Sequence, residues 1–274
     1  MVTDEWTVGD DPVVGVVRER DGDAARGNDA TESAVADAVD AVDAADAVAS
    51  EPVVGSVPDV LESDPSLLLA VGDRSLSATA RAGADTPVLA IDAGPGIVDV
   101  PLASVRAALD RIFADGADAR IRELSVLGVD AGGTDLAGER ALFDATLVTE
   151  EPAKISEYAV SSRGERVGRF RADGVVVATA AGSEGYANAV GAPRLSPAVD
   201  GLTVVPIAPF VTDRDQSQWV LPDDDLSISI VRDESAVCLV VDGRTSTPLP
   251  PGSRVSIVVA DTLRTLVVPE IREE

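Results

Sequence analysis

Near residue 118 the hydrophobic pattern of this chain changes period, and that change limits it to a fold in two parts. Before it, short apolar runs alternate with helical patterns. The runs from Val13 to Val17, Pro52 to Ser56, Ser66 to Val71 and Pro87 to Asp92 are rich in Val and Leu and bounded by turn residues, so they read as strands. Between the first two, Val35, Val39 and Val42 recur at i, i+4 and i+7 while Asp37, Asp40 and Asp43 hold the opposite side. That spacing predicts an amphipathic helix whose acidic row is a solvated face rather than a metal cluster. Leu76 to Arg81 begins a second helix, and Leu102 to Ala114, following Pro101, reads as a third. Strands alternating with helices make a parallel, Rossmann-like sheet the expected core of this α/β part.

Beyond residue 118 the stretches 119–133, 140–151 and 154–179 alternate at period two with turn residues between them, the mark of antiparallel strands. Further strands are expected from Leu202 to Ile207, Leu226 to Val231, Ala236 to Val241 and Arg254 to Val259, with turns at 213–216, 222–225 and 241–244. The fold class is therefore α+β in two domains: an α/β domain over 1–117 and a β-rich domain over 118–260. The segment 261–274, which contains Thr262 to Ile271, is expected to return to the first domain as a final strand.

With 45% hydrophobic residues among 274, the chain has ample material for a packed core, but only 3% are aromatic. The core must be built from Val, Ala, Leu and Ile. Asp and Glu number 48 against 22 Lys and Arg, a net charge of −26, and Lys154 is the single lysine. Phosphate backbones need a basic footprint, so nucleic acid is not an expected partner. Carboxylates in such excess point to a halophilic protein, because at about 1 M salt charges are screened beyond roughly 3 Å. Cys238 stands alone in an apolar run, which excludes a disulfide framework and points to a buried thiol in a reducing compartment. No leader pattern and no run of about 18 apolar residues occur, so a cytoplasmic protein without a membrane partner is expected. With no histidine and one cysteine, the usual zinc sites and His-based triads are unavailable. Acid–base chemistry falls to carboxylates, and a hard cation such as Mg²⁺, held through carboxylate and phosphate oxygens, is allowed. No residue is assigned as a dedicated metal ligand.

From Asp173 to Pro193 a β-branched strand, Val175 to Val177, runs into a loop of small residues that holds Thr179, Gly182, Ser183 and Tyr186. Backbone N–H groups in such a loop can approach a ligand closely. The stretch resembles the nucleotide-binding loop of the NAD kinase family, and family-like elements follow in order at Leu195 to Phe210, Trp219 to Pro222 and Val241 to Gly243. In the N-terminal half, Leu67 to Arg81 is similar to the segment carrying the family's Gly-Gly-Asp-Gly motif, and Pro87 to Gly96 to the strand and loop after it.

The resemblance implies an α/β domain followed by a β-rich domain, with the nucleotide between them. It implies ATP-dependent transfer of a phosphoryl group to the ribose 2′-hydroxyl of NAD, giving NADP, with Mg²⁺ offsetting the triphosphate charge. The alternative is a non-catalytic homologue that binds NAD, NADP or another nucleotide and acts as a regulator. A homodimer or homotetramer is implied as well. On this alignment Gly72 and Asp73 retain the motif's second and third residues, Asp73 as the catalytic base, while Val71, Arg74 and Ser75 replace a glycine, a glycine and a threonine. Such replacements are expected to strain and reshape the turn. Asp73 has a second reading as a turn carboxylate capping the next helix. Arg74 is open to two roles, as a phosphate donor or as a partner that neutralises Asp73. Asp92 stands for a family asparagine and would accept from ribose hydroxyls. Phe143 replaces another asparagine and either stacks on a base or fills the core, and Asp144 keeps the acidic type. Thr179, Gly182, Ser183 and Tyr186 match the family loop, but Glu184 brings a carboxylate toward the pyrophosphate. It must turn to solvent, hold a cation or leave the phosphate elsewhere. Arg194 and Arg214 are the nearest candidates for anion binding.

Overall fold

The computed structural model describes residues 2–5, 12–19, 28–45, 48, 50–114, 119–132, 138–151, 154–210, 218–232, 235–244 and 247–268. Arg214, the expected turn at 213–216 and the end of the 261–274 segment lie outside the described residues. The chain divides into two compact units, Met1–Leu124 with Leu263–Glu274, and Ser125–Thr262.

In the first unit the regular elements are β1 (Val2–Glu5), β2 (Val14–Val17), α1 (Asn28–Asp43), β3 (Val53–Gly55), α2 (Val57–Leu61), β4 (Leu67–Val71), α3 (Gly72–Ala82), β5 (Val88–Ile91) and α4 (Val105–Ile112). β6 (Arg120–Ala131) starts here and ends in the second unit. Strands β3, β2, β4 and β5 lie side by side in that order and are all parallel. All five residues of β4 are buried, as a central parallel strand covered on both faces requires. α1 turns Val35, Ala38 and Val42 inward and exposes Asp37, Asp40 and Asp43. With Val105, Ala108, Leu109 and Ile112 of α4 these residues close one core over Val14, Val16, Leu67, Leu69, Leu89 and Ile91. α3 packs with small residues, burying Ser75 through Ala80. It begins at Gly72 rather than near Leu76, because the polar run Gly72 to Ser75 is helical without carrying any apolar periodicity.

The second unit holds β7 (Glu139–Ala141), β8 (Asp144–Thr149), β9 (Ser156–Ser162), β10 (Glu165–Ala172), β11 (Gly174–Ala178), α5 (Tyr186–Ala189), β12 (Leu202–Ile207), β13 (Trp219–Leu221), β14 (Leu226–Arg232), β15 (Val237–Val241) and β16 (Thr247–Leu249). The final strand, β17 (Arg254–Val267), starts in this unit and ends in the first. One antiparallel sheet runs β13-β12-β11-β8-β15-β16; in the other, β10, β9, β14 and the first half of β17 are neighbours. Alternate residues of both sheets meet in one core, among them Leu147, Val160, Val175, Val177, Leu202, Ile228, Leu239 and Ile257. Tyr158, Phe170 and Trp219 form its aromatic row, with ring centroids 6.0 and 5.7 Å apart. Cys238 is buried and free. Among the described residues no helix is long and apolar enough to cross a membrane.

Two expected strands, one from Arg254 and one within 261–274, are a single strand. No glycine or proline interrupts Val255 to Val267; of its two consecutive polar residues, Asp261 is half-buried and paired with Arg140 at 3.0 Å, and Thr262 is exposed. At Thr265 it pairs with Val88, in parallel with β5.

Candidate functional site

In the first unit the site residues stand at the carboxyl ends of two adjacent parallel strands. β4 and β5 run in register from Leu68 opposite Val88 to Val71 opposite Ile91, so the turns that follow them lie side by side. Gly72 opens α3 at φ +79°, a conformation a side chain there would strain, although open space surrounds the position. The strain expected at Val71 and Arg74 does not arise. Val71 is extended, with φ −87° and ψ 115°, and Arg74 is already within the helix. Gly72 alone meets the turn's conformational demand. Asp73 is exposed in the first helical turn, where the macrodipole favours a carboxylate. It is not the helix cap: Val71 is, with no side-chain bond. Arg74 is exposed beside it and Ser75 is buried, 2% accessible.

After β5, Asp92 is exposed and left-handed at φ +44°. Its loop is held by the Asp92 N–H donating to Val100 O at 3.2 Å and by the Ala93 N–H donating to Asp99 Oδ2 at 2.6 Å. Two carboxylates, Asp73 and Asp92, thus occupy neighbouring strand ends. Among the described residues no three metal-ligating side chains converge.

In the second unit the sequence from Thr179 to Leu195 folds back on the β7–β8 turn. The Thr179 hydroxyl donates to Leu142 O at 2.7 Å and accepts from the Gly182 N–H at 3.1 Å, while the Thr179 N–H donates to Phe143 O. The Ser183 hydroxyl donates to Ala180 O and accepts from the Leu195 N–H, both at 2.8 Å. Thr179 and Ser183 are almost wholly buried. Both hydroxyls are therefore spent on the loop's own architecture. A Cβ at Gly182 would stand 2.0 Å from Phe143 O, so only glycine lets the loop lie against that backbone. Tyr186, by contrast, is 50% exposed at the start of α5. Phe143 is half-buried. Glu184 neither points freely to solvent nor stands alone: its Oε2 is 3.4 Å from Arg194 Nη1.

Asp144 lies opposite Ala178, where β11 gives way to the loop. It is buried, accepts from the Thr146 hydroxyl at 2.8 Å, and is pushed up to about 6 by burial, with the nearby Asp242 charge adding to the shift. Asp242 is the residue sequence reasoning left without a role. Its carboxylate accepts the N–H groups of Leu142, Phe143 and Asp144 at 2.9, 2.8 and 3.0 Å, and its own N–H returns to Asp144 O. The signal was present in the Asp242-Gly243 turn, where both residues are left-handed.

Residues 143–268 match the model of the ATP-NAD kinase C-terminal domain. An NAD kinase of Koribacter versatilis is 31% identical over 196 residues, 69% of this chain and 68% of that one. The chain belongs to the NAD kinase family. An NAD kinase of Methanospirillum hungatei is 28% identical over 77% of this chain and 78% of its own length. Among solved structures, yeast NADH kinase complexed with NADH superposes with a TM-score of 0.72 at 18% identity, covering 95% of this chain and 85% of that one. An Archaeoglobus fulgidus NAD kinase in complex with ATP gives 0.67 at 18% identity, covering 94% of each. Both have the NAD kinase fold, an α/β part and a β-rich part, as this chain does. Within this NAD kinase-family chain, the first unit carries Asp73 and Asp92 after neighbouring strand ends, and in the second the loop of Thr179, Gly182 and Ser183 lies against the backbone of Phe143, with Asp144 at the adjoining strand end and Tyr186 exposed further along the loop.

Proposed function

We propose that this chain transfers the terminal phosphoryl group of ATP to the ribose 2′-hydroxyl of NAD, giving NADP and releasing ADP. The observation that carries the reading is the exposed Asp73 directly after a left-handed Gly72, at a strand end next to that of Asp92. Asp73 accepts the proton of the 2′-hydroxyl as its oxygen attacks phosphorus, and Asp92 accepts from ribose hydroxyls and fixes the sugar. Arg74 offers guanidinium donors to phosphate oxygens. The exposed carboxylates suit a hard cation shared with phosphate oxygens, and Mg²⁺ entering with ATP would offset the triphosphate charge. In the second unit, Thr179, Gly182 and Ser183 shape the loop that binds nucleotide, and Tyr186 and Phe143 present aromatic surface to it.

The same reading assigns the base to residues 1–117, the nucleotide loop to 118–260, and completion of the first sheet to 261–274. It makes the protein halophilic, which the acidic composition supports, and cytoplasmic, which the lone buried thiol supports; a homodimer or homotetramer follows only from the likeness to the family. The test is NADP formation from NAD, ATP and Mg²⁺ in multimolar KCl. Asp73→Asn is expected to lower kcat by about 10²-fold or more with KM within a few-fold, the cost of losing a general base. No product from the unaltered protein, or product undiminished in the variant, overturns the mechanism. Stabilisation by NAD or NADP without turnover would leave binding alone.

A further inference from the structure

Glu184 is a charge in an awkward place. It sits in the short 3-10 turn Gly182–Glu184, between the buried Ser183 and Gly185, in the loop read above as the nucleotide loop. A lone carboxylate there would repel an anionic ligand. Arg194 removes the difficulty, with Nη1 3.4 Å from Glu184 Oε2. The backbone holds the pair in register. Leu195, the next residue, donates its N–H to Ser183 Oγ, Ala192 donates to Ala187 O, and Asn188 Nδ2 donates to Ala192 O at 3.2 Å. Arg194 is thereby returned to the turn that carries Glu184. Arg194 is 66% exposed and Glu184 36%, so water screens the ion pair and it adds little to stability. Its effect falls on whatever charged group enters the loop.

We propose that Arg194 is a positioning residue for nucleotide binding: it neutralises Glu184, and the loop's affinity for an anionic dinucleotide is set by the pair and not by either residue alone. The proposal rests on the nucleotide-loop reading but not on catalysis. The experiment measures dissociation constants for NAD and NADP by titration calorimetry at the lowest KCl at which the unaltered chain stays folded, since higher salt screens the pair, with the melting temperature of each variant. Arg194→Ala is expected to weaken NAD about tenfold, and NADP, with its additional phosphate, by more. The melting temperature should stay within about 2 °C, and Arg194→Lys should restore most of the affinity. Glu184→Thr should bind at least as tightly as the unaltered chain, and adding Arg194→Ala to it should change the constants by less than about twofold.

Equal losses from Arg194→Ala with and without Glu184 would mean that the arginine acts directly on the ligand, and would overturn the proposal. So would an unchanged constant in Arg194→Ala, an equal loss for NAD and NADP, or a loss that tracks the melting temperature. Dinucleotide binding without NADP formation would sink the kinase mechanism while these constants still decide the role of Arg194. No dinucleotide binding by the unaltered chain would overturn this inference outright.

Discussion

Asp144 is held against its own charge. Burial at the end of β8 raises its carboxyl from 3.8 to about 6, the Thr146 hydroxyl opposes the rise, and Asp242 reinforces it. A carboxyl raised on folding takes up protons as the chain folds. Its contribution favours the folded state below pH 4 and is lost as pH climbs through 6. Over that window the loss is about 3 kcal/mol, from a shift of roughly two pH units at 1.36 kcal/mol each. Asp144→Asn carries no such penalty, so its stability relative to the unaltered chain should rise by up to that amount between pH 4 and 7. Urea midpoints measured at several pH values check this, and a flat difference would mean that the carboxyl is not desolvated. Such a residue was only half legible in sequence. Asp73 and Gly72 were singled out by their position in a motif, and the conformation of Gly72 agrees with a turn requirement. Asp242, which orders three consecutive N–H groups, could not be found that way, because its partners are some 100 residues distant in the chain.

The segment from Thr179 to Leu195 behaves as one piece, because the hydroxyls of Thr179 and Ser183 bond within it and to the β7–β8 turn. Gly182→Ala would force a methyl group into Phe143 O, with backbone rather than a flexible side chain in the way. The expected cost is about 1–3 kcal/mol, with loss of nucleotide binding well below the melting temperature. Thermal melts with and without NAD test it; a variant still stabilised by NAD as strongly as the parent would show that the loop tolerates displacement. The small-residue composition of this loop was plain in sequence, and the strand before it, Gly174–Ala178, was legible as a β-branched run. What composition could not show is which hydroxyls would be buried, since a threonine turned toward a ligand and one turned toward a carbonyl read alike. The division of β17 into two expected strands has a similar origin: the adjacent polar residues Asp261 and Thr262 interrupt the period-two alternation and resemble a break, although the strand runs on through them.

At the scale of the molecule, 22 basic residues cannot balance 48 acidic ones. Among the described residues, ion pairs such as Arg163 with Asp224 and Arg106 with Asp110 are largely exposed and add little. Self-repulsion should therefore govern the stability of the chain in dilute buffer. Raising KCl from 0.1 to 3 M is expected to lift the melting temperature by about 10 °C or more, equivalent to several kcal/mol for a chain of this size. A scan by circular dichroism decides it, and a melting temperature indifferent to salt would remove the halophilic reading. The architecture carries a different kind of cost in β17. The parallel strand that lies beside β5 is the last regular element among the described residues, while β5 itself ends at Ile91. Val100 pairs with the end of the same β5 edge at Ala90 and Asp92, but on a ribosome adding about 5–20 residues each second its start, at Val88, lacks Thr265 for on the order of ten seconds while the second unit is made. During that interval the nascent chain presents an open strand edge to its neighbours, so crowding on a polysome and the speed of translation bear on the yield of folded protein.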